Sequence, residues 1–415
     1  MNQATLYDDI LLQIFDYIAA PTCDRDASGR RNLVDAALVC RSWTRPAQAV
    51  LYAGSILVNL DADRSSDFDW QRASMSILFV RTMCTCPHLR SAVRDITLRV
   101  PVDVDTFNDN NIEWLRMLPP DGLRKFRCLW YTAKVPFQPS LLSAPAVLTV
   151  HDVRLYCCHK IPTSSVLSLK SATCLDIEVY TLDAHLEHSQ EIAFTFESGP
   201  PVNKLALNML DYPGHCQCFA ALAPGLRSFT TKGDWFTCNY LARPVGQAIA
   251  RHGCEAKELI LCVDWTARWR YAYHRVSFLC DYPFLDDLAM RRPKVEHLVA
   301  PPGSCTDVFF QHFPVKLKTL ELVLQDEKPF PFERSLREAL IRVRNERIPI
   351  AVEKIMFWSF FACTVDDDPY VLLRDICAAS GITFCHKAQF DPLTSLVEKF
   401  FCCKVCCPEG SGTTT

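Results

Sequence analysis

The beginning of the chain repeats hydrophobic residues with the period of an α-helix. Thr5 can cap a first helix, and a polar segment over residues 21–31 predicts a loop after it. Asn32 can cap a second helix and Thr44 a third, with Pro46 in the first turn of the third. We therefore predict three short helices within residues 1–56. The hydrophobic stripe of the first helix consists of Leu6, Ile10, Leu11, Ile14, Phe15 and Ile18.

These three helices are too short to bury a hydrophobic core that would make them stable on their own. The buried share of the surface falls steeply in so small a unit, so hydrophobic side chains remain to be covered. Leu12 and Tyr17 lie outside the stripe of the first helix, which is thus hydrophobic on more than one face. The pattern favours a helical unit that docks on a partner. The alternative is a helical cap on a larger domain.

The rest of the chain repeats a short pattern: a hydrophobic residue, two variable ones, then two hydrophobic residues separated by one position. Clear copies lie at residues 93–98, 123–128, 202–207, 294–299, 317–322 and 352–357, and weaker ones at 145–150, 172–177, 226–231 and 256–261. The spacing of the copies is roughly 22 to 39 residues, and helical signals lie between them, as in residues 239–253 and 333–348. Strands alternating with helices in this way predict a parallel solenoid. The alternative is a non-repeating α/β domain.

Three stretches near the beginning of the chain carry a family resemblance. LYDDILLQIFDYI, LVCRSW and PAQAVLY, in this order within residues 4–56, resemble the F-box, the helical module that docks on the Skp adaptor of ubiquitin ligases. The chain departs from the family at Tyr7, where a Pro is usual, and in the insert over residues 21–31. The resemblance implies adaptor contacts by Leu6, Ile10, Leu11, Ile14, Phe15, Ile18, Val39, Cys40, Trp43 and Leu51.

The repeated pattern in the longer part is similar to the irregular leucine-rich-repeat domains that often follow an F-box. The expected fold class is α/β: a short all-α F-box of three helices, then a leucine-rich-repeat-like solenoid with parallel strands and crossover helices. The expected organisation is adaptor-binding helices at 1–56, a connecting helical segment at 57–90, a substrate-recognition domain at 91–392, and a Cys-rich helix and tail at 393–415.

Composition narrows the classes of partner. The chain has 415 residues, is 49% hydrophobic and carries a net charge of -3, so it lacks the basic excess that nucleic-acid and membrane-surface proteins need. The hydrophobic run from Ile355 is too short to span a bilayer, and the first residues show no secretory signal. We therefore expect a protein of the cytoplasm or nucleus, with most of its 22 Cys as reduced, packed thiols.

Candidate chemistry is concentrated in the tail. Cys402, Cys403, Cys406 and Cys407 have spacings that could bind a soft metal ion or accept an acyl group, although a second Cys pair at zinc-site distance is absent. The motifs of nucleotide-binding, hydrolase and zinc-protease sites are missing from the sequence. A thiol- or metal-dependent sensor or enzyme that uses this tail is therefore the alternative to a binding protein.

The residues and the resemblance together predict a substrate-recognition subunit of a Skp, cullin and F-box ubiquitin ligase. Its partners would be a Skp-type adaptor, through it a cullin, and a target protein whose identity the sequence does not give. We expect no catalytic group and no cofactor; the remaining alternative is an F-box scaffold outside ubiquitin transfer. In a solenoid, the polar strand positions that would face a target are Lys125, Arg127, Asp176, Glu178, Lys204, Asn208, Glu258, His297, Glu321, Lys354 and Trp358.

Overall fold

The computed structural model describes residues 3–19, 28–60, 70–100, 107, 109–132, 135–157, 161–179, 201–208, 219, 222–232, 239–262, 280, 282–301, 303–324, 330–346, 351–359 and 370–388. This part of the chain is mixed α/β, with parallel strands and intervening helices. It forms two compact units, of which the first holds the described residues up to Thr173 together with Val179, and the second holds Cys174–Glu178 and those from 201 onward. The boundary lies inside the segment 91–392, for which the sequence predicts one domain.

Among the described helices, none combines the length and the hydrophobicity that a membrane span requires.

Three helices open the first unit: α1 (Gln3–Ala19), α2 (Ser28–Val39) and α3 (Arg41–Ala53). Their interior is a small cluster to which each helix contributes two side chains, and the ring of Phe15 meets the edge of Trp43 at 5.6 Å between centroids. The three helices predicted from the periodicity are thus present. The buried members of the cluster are Leu11, Phe15, Leu33, Ala36, Ala47 and Val50.

The bounds of the second and third helices differ from the prediction. The second helix begins at Ser28, within the predicted loop, and the third begins at Arg41 with the extended Cys40 before it. Thr44 therefore lies inside α3, where its hydroxyl donates to the carbonyl oxygen of Ala37 at 2.7 Å and to that of Cys40 at 3.2 Å. Thr44 does not cap a helix; it ties the end of α2 to the start of α3.

The strands of the first unit are β1 (Ser55–Asn59), β2 (Asp95–Val100), β3 (Lys125–Trp130) and β4 (Asp152–Cys157). Each pairs in parallel with the next one along the chain. The intervening helices are α4 (Trp70–Thr85), α5 (Pro87–Arg90), α6 (Glu113–Arg116) and α7 (Pro145–Leu148), and α8 (Thr163–Leu167) follows β4. Short 3-10 turns lie at Asp109–Ile112 and Pro139–Leu141.

The second unit continues the same scheme, with parallel pairs between strands that are neighbours in the chain. Its strands are β5 (Cys174–Val179), β6 (Lys204–Asn208), β7 (Ser228–Lys232), β8 (Glu258–Cys262), β9 (His297–Ala300), β10 (Thr319–Val323), β11 (Lys354–Ser359) and β12 (Thr383–Ala388). Its helices are α9 (Asn239–His252), α10 (Phe284–Met290), α11 (Asp307–Gln311), α12 (Glu333–Glu346) and α13 (Val371–Ala379), with 3-10 turns at Ala223–Gly225 and Gly253–Glu255.

Two local features recur from strand to strand. The residue two positions before a strand is hydrophobic and buried, as at Val93, Leu123, Val202 and Leu317. The carbonyl of the residue directly before a strand accepts hydrogen bonds from the start of the next strand; the nitrogen of Lys125, for example, donates to the oxygen of Arg94 at 3.1 Å. These contacts set β2 to β4, and β6 to β12, in the same register against their neighbours.

The repeated sequence pattern located most of the strands and misplaced one. The copy at 145–150 is not a strand, because Pro145 begins helix α7 and the strand follows as β4. The other nine copies coincide with or lead into a strand. The pattern missed β1, β4 and β12.

Candidate functional site

The three N-terminal helices keep some hydrophobic side chains outside their interior. On α1, Leu11 and Phe15 point inward, whereas Ile10 and Ile14 are each 48% exposed. Since Ile10 and Ile14 are four residues apart, they lie on one face of the helix. At the end of α2, Leu38 is 80% exposed and Val39 is 65% exposed. We call Ile10, Ile14, Leu38 and Val39 the helix face.

The remaining residues predicted to contact the adaptor divide into three groups. Trp43 and Leu51 are partly buried and pack against the interior cluster, as Leu11 and Phe15 do from within it. These four side chains hold the helices together, so in this conformation they have little surface for a partner. Cys40 is exposed, and a hydrogen bond with the Ser42 hydroxyl at 3.1 Å lowers the pKa of its thiol. The side chains of Leu6 and Ile18 lie outside the described residues.

The helix face can bury hydrophobic surface against another molecule. Ile10 and Ile14 share one side of α1, and further exposed hydrophobic side chains, Tyr17 and Val34, lie on α1 and α2. A three-helix unit that leaves several large hydrophobic side chains in water gains free energy when a complementary apolar surface covers them. The helix face consists of hydrocarbon side chains, which are suited to packing against another helix and contain no catalytic group.

The strands of the first unit carry a polar face on which Lys125 and Arg127 lie together, as the sequence predicts. Residues at alternate positions of β2, β3 and β4 point to this side, and the positions between them are buried. Register places Arg127 between Thr97 and Arg154, and Lys125 between Asp95 and Asp152. We call this set the first strand face: Asp95, Thr97, Arg99, Lys125, Arg127, Leu129, Asp152, Arg154 and Tyr156.

Burial shapes the electrostatics of the first strand face. Burial raises the pKa of Asp95, although Arg127 and Lys125 act in the opposite direction and Ser55 donates a hydrogen bond to it. The Nε atoms of Arg99 and Arg127 are buried and have no hydrogen-bond partner among the residues that the structure describes. The guanidinium carbon of Arg99 lies 5.9 Å from the centre of the Tyr131 ring. This face therefore has hydrogen-bond donors that the fold itself leaves unused.

Three of the predicted strand-face residues form a closed network in the second unit. Glu321 is buried; its Oε1 lies 3.1 Å from Nε2 of His297, and its Oε2 accepts a hydrogen bond from Nε1 of Trp358 at 2.7 Å. Burial alone would raise the pKa of Glu321, but the hydrogen bonds with His297 and Trp358 and the nearby charges of His297 and Lys354 lower it. Both oxygens of this carboxylate are satisfied within the fold, which is typical of a structural role.

The other predicted residues of the second unit do not gather into one site. Asp176 is buried on β5, while Lys204 is exposed and Glu178, Glu258 and Lys354 are half-buried. Register brings Glu258 beside His297 and Lys354 beside Thr319. The side chain of Asn208 lies outside the described residues.

A charged row just before the strands of the second unit was not predicted. Glu296 lies between two lysines, with its carboxylate oxygens 2.9 Å from Nζ of Lys257 and 2.7 Å from Nζ of Lys318. Hydrogen bonds from Lys318 and Lys257 lower the pKa of Glu296 to about 2. The three residues occupy equivalent places before consecutive strands, a relation that the repeated pattern contains once the strands are aligned.

Metal-binding chemistry finds no support among the residues that the structure describes. They contain no cluster of three His, Cys, Asp or Glu side chains that could bind an ion. The described cysteines are free thiols; Cys128 and Cys305 are packed inside, whereas Cys40 and Cys84 are exposed. The candidates Cys402, Cys403, Cys406 and Cys407 lie outside the described residues.

No model of a protein family matches this chain, and no curated protein sequence matches it. The surfaces that bear on its function are the helix face and the first strand face.

Proposed function

We propose that the chain is the substrate-recognition subunit of a Skp, cullin and F-box ubiquitin ligase. The helix face docks on a Skp-type adaptor, and through the adaptor on a cullin. The strand faces of a leucine-rich-repeat-like domain hold a target protein. The chain supplies no catalytic group in this role, because transfer is promoted by holding a target lysine close to a ubiquitin-charged enzyme.

The observation that carries the proposal is the exposure of Ile10, Ile14, Leu38 and Val39 on helices whose interior is already filled by other side chains. Burial of an exposed Ile, Leu or Val side chain yields roughly 1 to 2 kcal/mol. Several such side chains provide a gross gain comparable with the cost of association. They lie in the stretches that resemble the F-box, which links the exposed surface to an adaptor of known type.

The experiment is co-purification of the full chain with the Skp-type adaptor of the source organism, with Ile14→Asp as the test variant. A carboxylate on the helix face loses its hydration if the adaptor covers it, so we expect capture to be lost. Ile341→Asp is the matched control, since Ile341 is 41% exposed on α12 and outside the N-terminal helices. This control should bind as well as the unmodified chain.

Folding must be kept apart from docking in this test. Ile14 is half exposed, so Ile14→Asp should keep the helical circular dichroism and the thermal transition of the parent. Phe15→Ala removes a buried ring from the interior cluster and should lower the stability of the helices by about 3 to 5 kcal/mol. Equal capture of the parent chain and Ile14→Asp would exclude docking through the helix face. A captured chain that joins no cullin complex would identify a scaffold outside ubiquitin transfer.

A further inference from the structure

The first strand face contains cationic groups that the fold does not use fully. Arg99 and Arg127 each have a buried Nε with no hydrogen-bond partner in the described part of the chain. A buried donor without an acceptor costs free energy, so native proteins rarely keep one without a reason. A guanidinium offers its donors in a planar fork that fits two oxygens of a carboxylate or phosphate.

Register brings these groups close to further positive charge. Arg127 and Arg154 are direct partners on β3 and β4, and Arg99 lies one step further along β2. Neighbouring strands are about 4.8 Å apart, so the two partnered arginines start from adjacent points of the sheet. Like charges placed opposite each other are destabilising, and an anion between them would remove that cost.

The acidic residues of this face neutralise its positive charge only in part. Asp95 and Asp152 lie at the start of their strands, on either side of Lys125. Asp152 Oδ1 lies 3.4 Å from Nε of Arg154, and Asp95 acts on Arg127 through its charge. The positions further along these strands, with Thr97, Arg99 and Arg127, have no carboxylate on β2, β3 or β4. The first strand face therefore has both carboxylates and a lysine where its strands start, and only cationic or uncharged side chains further along β2, β3 and β4.

We propose that the first strand face binds a protein segment through a side-chain carboxylate or phosphate held by Arg99, Arg127 and Arg154. This inference rests on the proposed function, for which it supplies the chemistry of the target segment. The donors include the Nε atoms of Arg99 and Arg127, which have no hydrogen-bond partner in the described part of the chain. Tyr131 and Tyr156 flank the arginines and offer aromatic surface for the rest of the segment.

A protein segment fits this face better than a nucleic acid does. Asp95 and Asp152 lie beside the arginines, and they would repel a continuous phosphate backbone. A peptide carries its anions on separate side chains, so one of them can reach the arginines while uncharged residues pass the carboxylates. The net charge of -3 for the whole chain also disfavours nucleic acid.

The test measures fluorescence anisotropy of labelled peptides with the full chain alone, without adaptor. The probes are a short peptide of alternating Glu and Ser, the same peptide with Gln for Glu, and the Gln peptide with phosphoserine for Ser. We expect the Glu or the phosphoserine peptide to bind at least about tenfold more tightly than the Gln peptide. Which of the two binds more tightly identifies the source of the anion.

Variants assign the binding to the arginines. Arg127→Gln and Arg99→Gln should each weaken the anionic peptide by about tenfold, and Arg127→Lys should lie between Gln and the parent because it keeps the charge but loses the fork. Arg124→Gln is the matched control, because Arg124 is exposed directly before β3 and outside the first strand face. It should change the affinity by less than about twofold.

Three results would overturn the inference: equal binding of the Gln and anionic peptides, unchanged affinity in both Arg99→Gln and Arg127→Gln, or tighter binding of a poly-dT oligonucleotide than of the peptides. Thermal unfolding of each variant shows whether it is folded; if Arg127→Gln is not, Arg99→Gln decides. Because the adaptor is absent, failure here leaves adaptor capture untouched. Failure of adaptor capture likewise leaves peptide binding intact.

Discussion

The first strand face and the network around Glu321 in the second unit differ in how they accommodate a buried charged group. In the second unit, Glu321 receives partners on both carboxylate oxygens from His297 and Trp358. In the first unit, Arg127 and Arg99 each have a buried Nε for which the described residues provide no acceptor. A buried charged group whose hydrogen bonds are all made within the protein has a structural role. One that has an unpaired donor can bind an acceptor on another molecule.

The largest expected effect is on stability and concerns Glu321. Glu321→Ala leaves the indole N–H of Trp358 without its acceptor and opens a small void, so we expect the unfolding free energy of the second unit to fall by about 2 to 4 kcal/mol. Arg127→Gln, by contrast, removes a buried donor that has no acceptor in the described part of the chain, so it should leave stability unchanged or raise it. Urea denaturation followed by tryptophan fluorescence measures both. Similar losses in the two variants would remove the distinction between the faces.

The pH dependence of stability should have opposite signs at Glu321 and Asp95. The pKa of Glu321 is lowered from its ordinary 4.5, so the stability it contributes is complete above pH 4.5 and is lost as the pH falls through the folded pKa. The pKa of Asp95 is raised from 3.8, so its charged form opposes folding above the folded pKa, and that cost disappears as the pH falls towards 3.8.

Two amide variants measure these signs. Relative to the parent chain, Glu321→Gln should be less stable at neutral pH and approach the parent in acid. Asp95→Asn should be at least as stable as the parent at neutral pH, with the difference shrinking as the pH falls. Urea midpoints between pH 7 and about 3.5 are the measurement, in a range set by the ordinary carboxyl pKa values. Parallel pH curves for both variants and the parent would contradict the assignment.

The smallest effect is expected at Glu296, a charge that is paired but exposed. Its contacts with Lys257 and Lys318 lower its pKa to about 2, yet water and salt screen them. Glu296→Gln should therefore shift the urea midpoint less than Glu321→Ala does, and the shift should vanish in high salt. If Glu296→Gln lowered the stability as much as Glu321→Ala does, charge pairing and not burial would determine how much each carboxylate stabilises the fold. Lys316→Gln, an exposed lysine nearby in sequence, is the control.

The sequence predicted the strands better than the surfaces. A buried hydrophobic residue two positions before the strand, as at Leu123 or Leu317, is local information, and it located most of the strands. At residues 145–150 the same spacing occurs within a short helix, because Pro145 favours a helical start that the pattern does not weigh. The strand β12 was missed because no residue two positions before it is hydrophobic: Gly381 stands there.

The helix face could be predicted only in part. The periodicity of α1 marks Ile10, Leu11, Ile14 and Phe15 alike, since all of them lie on a broad hydrophobic stripe. Which of them face inward is decided by Ala47 and Val50 on α3, and that depends on where α3 begins. The start of α3 at Arg41 follows from a one-residue corner at Cys40, for which the sequence offers no cap signal.

The unused arginine donors were beyond sequence reasoning for a similar cause. Lys125 and Arg127 were placed on a strand face, but nothing local to β3 shows that Arg154 of β4 stands beside Arg127. Which residue lies beside Arg127 depends on the register of two strands that are separated by a helical crossover. Burial of one nitrogen atom within a long side chain is likewise a property of the packed structure. For Glu321 the sequence predicts a strand position that faces a target, but it could not show that His297 and Trp358 occupy the carboxylate.

The carbonyl that precedes each strand has a consequence for how such a chain can change over evolutionary time. From β2 to β4 and from β6 to β12 it accepts hydrogen bonds from the start of the next strand, so a strand is positioned by its predecessor and not by the length of chain between them. Doubling the length of a flexible crossover costs only about 0.6 kcal/mol in closure entropy. Insertions and deletions in one crossover can therefore accumulate while strand register is maintained. Related chains can therefore differ widely in sequence and in crossover length and still carry their side chains at equivalent strand positions.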